Sequence, residues 1–203
     1  MSPPRAFFIA GRHFGPAPGF DWRAAQAARP GGRPRRIGEW AALALHGAQS
    51  CLDDSGEVCL PEAATLTLST VHGPDIALRA ALREAREGLP LPFGFLASQP
   101  GQVLPALARA LGWQGDGRCL ATRRPEAALR RACADAGPGG VLAGWVEEDP
   151  PEHSHWLRLR PAQPPGGFEP GDFSMLADPT CRFLAFDGAH LLVSRSPEPP
   201  RDA

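Results

Sequence analysis

The chain has 203 residues and a formal net charge of −1; all 21 basic residues are arginine, and lysine, asparagine and tyrosine do not occur. A domain of this length buries a sizeable core, the near-zero charge gives no electrostatic basis for binding nucleic acid or an anionic membrane, and the lack of lysine excludes Schiff-base and P-loop chemistry. No run reaches the ~18 apolar residues of a membrane span, and the apolar start AFFIAG lacks a signal-peptide cleavage pattern, so the chain reads as cytoplasmic.

In chain order, residues 5–12 read as a first strand, followed by a Gly/Pro loop and a short helical turn starting at Phe20-Asp21-Trp22. The arginine-rich loop 29–36, with Arg33, Arg35 and Arg36, suits a phosphate or an acidic partner and equally suits plain solvation. Ile37, Trp40, Ala44, Leu45, Ala48, Cys51 and Leu52 recur at helical spacing and predict a helix over 37–53, with His46 and Gln49 off the apolar stripe. Residues 64–71 alternate as a strand, and the His72-Gly73-Pro74-Asp75 turn leads into a helix over 75–87. His72 thus stands at the carboxyl end of a strand, a place that suits a ligand-binding residue and also a turn histidine bonded to backbone. Residues 89–99 are apolar and irregular, and 102–111 form a helix stopped at Gly112.

The segment 112–148 holds a complete strand, turn, helix, strand cycle. Residues 118–121 form a short strand, Thr122 is placed to cap the next helix, and Pro125 suits its first turn. Ala127, Ala128, Ala132 and Ala136, with Leu129 and Cys133 between them, let that helix lie close against a neighbour, Gly137 to Gly140 end it, and 141–146 read as a buried strand. This order implies a right-handed crossover between parallel strands. After the break at Asp149-Pro150-Pro151, residues 155–159 alternate as an edge strand and 161–171 read as a linker. The tail allows a hairpin turning at Asp187-Gly188 or a helix starting at Asp178-Pro179; the helix is preferred because Thr180, Leu184 and Asp187 would share one face. Residues 197–203 read as disordered.

The five cysteines, Cys51, Cys59, Cys119, Cys133 and Cys181, form no CxxC pair and read as reduced thiols. His153 and His155 could share a strand face, but no further ligand is placed by spacing, so no metal and no cofactor is expected. A rival enzyme reading is a small cysteine-dependent acyltransferase or thioesterase, using Cys119 or Cys181 with His155 or His190.

The stretch AALRRACADAGPGGVLAGWVEE resembles the β-ketoacyl synthase segment in which a cysteine nucleophile on a tight turn opens a helix that leads to a strand ending in a glutamate. FFIAGRHFGP, RPRRIGEWAALALHGAQSCL, ATLTLSTVHG and EEDPPEHSHWLRLRP follow the same order over about residues 5–161, similar to short chain-length-factor-like proteins of aryl polyene and related polyketide clusters. In that register the nucleophile position falls on Thr122, Arg124 and Pro125 replace the expected Ser and Gly, and Cys119 lies three residues too early. The resemblance implies an α/β layered fold with a mixed, mainly parallel sheet of about five strands, like the N-terminal half of the thiolase-like fold. It implies a domain over 1–161 with a small appendage over 162–203, and no condensation activity. It also implies association with a ketosynthase, another synthase component or a second copy through Arg118, Cys119, Leu120, Ala121 and Thr122. Phe93 and Phe95 become pocket or interface residues, and Arg33, Arg35, Arg36, Arg123 and Arg124 a surface for an acidic acyl carrier protein.

Overall fold

Strands β1 (Ala6–Gly15), β2 (Thr65–Thr70), β3 (Gly117–Ala121), β4 (Val141–Glu147), β5 (His153–Ala162), β6 (Glu169–Pro170), β7 (Cys181–Asp187) and β8 (His190–Arg195) form one sheet in the order β3-β2-β4-β5-β1-β7-β8-β6. The structure, a computed structural model, describes residues 5–30, 32, 34, 37–88, 92–149, 151–163 and 167–195. The sheet is mixed. It is larger than the five or so strands expected and not mainly parallel: β2 runs parallel to β3 and β4, while the remaining pairs are antiparallel.

Among the described residues six α-helices accompany it: α1 (Trp22–Ala27), α2 (Glu39–Ser55), α3 (Asp75–Arg86), α4 (Pro92–Ala97), α5 (Val103–Ala110) and α6 (Pro125–Ala134). The chain crosses from β2 outward to β3 by way of α5, then returns over β2 to β4 by way of α6. Crossovers of one hand that travel in opposite directions place their helices on opposite faces of a sheet. Accordingly α5 packs with α2 over Leu66, Leu68, Leu142, Val146 and Trp156. Leu129, Ala132 and Cys133 of α6 lie on the other face with Val141, Leu157 and Leu159, and the tail residues Leu176, Leu184 and Val193 join them.

The α2 contact is close because its inner positions are small. A Cβ on Gly47 would overlap Ser154 Oγ and stand 2.5 Å from Trp156 Cδ1, so only glycine lets the helix settle on β5 there. Trp156 Nε1 donates to Ser154 Oγ (2.9 Å), which donates to Leu43 O (3.1 Å), so the buried indole brings no unpaired donor into the core.

Three local readings change in three dimensions. Strand β5 is not an edge: it runs between β4 and β1, and ten-residue β1 covers its other side. His46 is buried rather than turned outward, because β1 and α1 wrap that side of α2 and set His13, Phe20 and Trp22 around its ring. The tail forms the hairpin β7–β8 and not a helix; Ala6, Phe7 and Phe8 present an open strand that pairs with Ala185, Leu184 and Phe183. Part of the apolar stretch 89–99 is helical, as α4, and residues 197–203 lie outside those described. Among the described residues no helix is long and apolar enough to cross a membrane.

Candidate functional site

The carboxyl ends of β3, β2 and β4 come together on one side of the sheet, and two adjacent glutamates organise them. Glu147 accepts from Thr70 Oγ1 (2.9 Å), from the Val71 amide and from His72 N (3.2 Å), and Thr70 Oγ1 accepts from Gly73 N (2.7 Å). The buried carboxylate thereby supplies acceptors for a turn that no strand can satisfy. His72 remains exposed, with Nδ1 3.6 Å from Glu147 and 4.0 Å from Asp149. Glu148, also buried, accepts from Ile76 N (2.7 Å) in the first turn of α3.

Strand β3 is the outermost strand on this side. Asp116 O accepts from Leu66 N (3.0 Å) and Thr122 N donates to Thr70 O (2.9 Å), so the even-numbered residues bond to β2. The backbone groups of Gly117, Cys119 and Ala121 therefore point away from the sheet. Thr122 does not cap the helix. Its Oγ1 accepts from Arg124 N (3.3 Å), Arg124 occupies the N-cap position and Pro125 the first turn, which leaves Thr122 two residues outside the helix end. No histidine or carboxylate is hydrogen-bonded to its hydroxyl among the described residues.

Around this strand, Arg118 is held by its own chain, pairing with Asp135 and with Asp116 at 2.8 Å. Cys119 turns inward toward the α2–α5 layer, and burial pushes its thiol up. Leu120 is partly buried, while Ala121, Arg123 and Arg124 are exposed. Arg33, Arg35 and Arg36 lie outside the described residues. Phe93 and Phe95 project from α4 at 57% and 62% exposure, and α4 itself packs beside α3, a helix that buries none of its residues. The 3-10 turn Pro100–Gln102 touches both α4 and β3 and links the two groups of predicted residues.

Neither Cys119 with His155 nor Cys181 with His190 comes together. Cys119 lies on the edge strand, with β2 and β4 between it and β5, which carries His155. Cys181 and His190 occupy opposite ends of their hairpin, as Cys181 pairs with Arg195 and His190 with Asp187. Burial raises the Cys181 thiol and pushes Cys133 up to about 12, where a thiolate is scarce near neutral pH. His153 and His155 do share a face, stacked at 5.0 Å, but Trp145 Nε1 donates to His153 Nε2 (2.9 Å) and occupies the nitrogen a metal would need. Among the described residues no group of three or more His, Cys, Asp or Glu could hold a metal ion.

The two glutamates are the residues that sequence patterning undervalues. Their signal is a pair of carboxylates closing an otherwise apolar strand.

No protein-family model matches the chain, and no curated protein matches it in sequence. Solved structures share its fold. A ketosynthase (ApeO) in complex with its chain length factor (ApeC) from Xenorhabdus doucetiae matches at a TM-score of 0.55 and 15% identity, covering 95% of this chain and 96% of that one. The ishigamide ketosynthase/chain length factor matches at 0.55 and 19% identity over 76% of this chain and 51% of that one. A type II polyketide synthase acyl-carrier protein in complex with its ketosynthase bound to the hexaketide (AntDE:AntF) matches at 0.58 and 14% identity, over 79% and 64%. The fold is thus the mixed α/β fold of chains in ketosynthase and chain-length-factor complexes. This chain spans nearly all of the first match but only about half of the second.

Proposed function

We propose that this protein is a non-catalytic, chain-length-factor-like accessory subunit of a bacterial polyketide pathway of the aryl polyene type. It pairs with a ketosynthase or related synthase component in the cytoplasm and corresponds to one half of a thiolase-like fold. One observation carries the reading: the strand leading to the nucleophile position is a free sheet edge, and the residue at that position is a threonine outside the helix N-terminus with no base bonded to it. Condensation needs a thiolate and proton-transfer groups, whereas the open edge needs a strand. Arg123 and Arg124, exposed beside that edge, suit an acidic carrier protein arriving at the assembled pair.

Co-expression with a ketosynthase of an aryl polyene-type pathway tests the pairing. The N–H of Ala121 points outward, so Ala121→Pro removes a donor from the free edge without breaking the β2–β3 ladder. The reading predicts co-purification of the wild type and its loss with Ala121→Pro at an unchanged circular dichroism spectrum. Equal capture of both proteins, or covalent acylation of Thr122 in the isolated chain, refutes it.

A further inference from the structure

A cleft of about 740 Å³ opens on the outer side of the α2–α5 layer, between α5, α4 and the segment that enters α2. Small-molecule sites occupy ~300–1,000 Å³ and combine apolar walls with a few convergent polar groups. Ile37, Trp40, Phe93, Leu96, Val103 and Ala106 form its walls. Among the described residues no acidic side chain lines it, and Arg109 does. The Arg109 guanidinium has no ion pair or hydrogen bond among the described residues. Arg29, in the adjoining cleft, is by contrast already engaged by Asp53 at 2.7 Å and by Ser50 Oγ at 3.0 Å. Among the described residues Arg109 is therefore the cation of an apolar cleft that has no partner of its own. From Val103 to Ala110 the α5 wall runs for about 10 Å, long enough for an extended medium-length chain.

We propose that this cleft binds an amphiphilic anion, a single apolar chain with a carboxylate-type head. The chain lies along Ile37, Phe93, Leu96, Val103 and Ala106, and the head meets Arg109. Burial of the chain supplies affinity, and a charge-assisted hydrogen bond to the guanidinium sets the preference for an anionic head. The partial exposure of Phe93 and Leu96 then has a physical purpose, since both face a cleft meant to be filled. None of the lining residues belongs to β3, so the proposal stands or falls separately from pairing along that edge.

Isothermal titration of the full chain with decanoate, and separately with decyltrimethylammonium, tests the site. The wild type is expected to bind decanoate at least about tenfold more tightly than the cationic probe, the worth of one such hydrogen bond. Arg109→Glu, an exposed substitution, should remove or reverse that preference, and Ala106→Trp should abolish binding of both probes. No decanoate binding, equal affinity for the two heads in the wild type, or a titration unaffected by Ala106→Trp overturns the proposal. The head-group comparison uses only the wild type, so it holds even if Ala106→Trp fails to fold.

Discussion

The two sides of the sheet are held by different means. On the parallel side, β3, β2 and β4 are short and closed by carboxylates: Glu147 and Glu148 bond to backbone amides beyond the strand ends. On the antiparallel side, arginines reach across the sheet. Arg158, 1% exposed, meets Glu57 through Nε at 2.6 Å and Nη2 at 3.0 Å. Arg12 donates to Leu176 O (3.0 Å), to Asp178 O and to Cys181 O (2.6 Å), fastening the turn that precedes β7. The parallel side thus depends on contacts near strand ends, and the antiparallel side on charged groups joining residues more than a hundred positions apart.

The largest effect is expected on the antiparallel side. Glu57→Gln leaves a buried guanidinium without its counter-charge, a loss of about 3–5 kcal/mol, readable as a lowered urea midpoint. Replacing both partners, Glu57→Leu with Arg158→Met, should recover much of it. A double variant as unstable as Glu57→Gln would show that the pair contributes more than charge compensation.

Arg12→Leu comes next. It strips donors from buried carbonyls at a cost of about 2–3 kcal/mol, and amide exchange should accelerate through β7 and β8 while β2 and β4 stay protected. Uniform acceleration across both sides would erase the distinction drawn here.

Acidification gives a smaller, graded loss. Burial, followed by His46 and Arg29, pushes the His13 imidazole down to about 4, and burial, followed by His153 and His13, does the same to His155. Both folded-state values lie below the ordinary 6.5, so through the interval between them the unfolded chain binds more protons than the folded one. Stability is complete above about 6.5 and falls as pH drops toward about 4. Melting at a series of pH values should show that slope, and His13→Phe with His155→Phe should flatten it.

The smallest effect belongs to the parallel side. Thr122→Cys places a thiol two residues before the N-cap of α6, too far out for the helix end to activate it. Iodoacetamide should label it no faster than it labels Cys59, the exposed native thiol, and the melting temperature should not change.

Local pattern made the parallel side legible. The apolar run 141–146, the small residues of α6 and the glycine stop placed their elements within a residue or two. The antiparallel side was hidden because its determinants are non-local. Nothing in the alternation of residues 155–159 signals that β1 will cover them, and the tail forms a hairpin because of the open edge of β1, nearly 180 residues earlier in the chain. The Thr122 side chain suits a cap, but the helix begins at Pro125 with Arg124 at the N-cap, two residues further along. The outer cleft was invisible for a related reason, since its walls come from three separated stretches.

Glu148 gives the molecule a pivot. Its carboxylate accepts from Ile76 N at the start of α3 (2.7 Å), and the Trp40 backbone at the start of α2 helps to hold its charge. Burial pushes that carboxyl above its usual range, and the bond from Ile76 opposes the rise. Helix α4 packs on α3, so the two walls of the outer cleft, α4 and α2, are both referred to this one side chain. The end of β4 and the start of α3, 72 positions apart in the chain, are thus joined through one buried side chain.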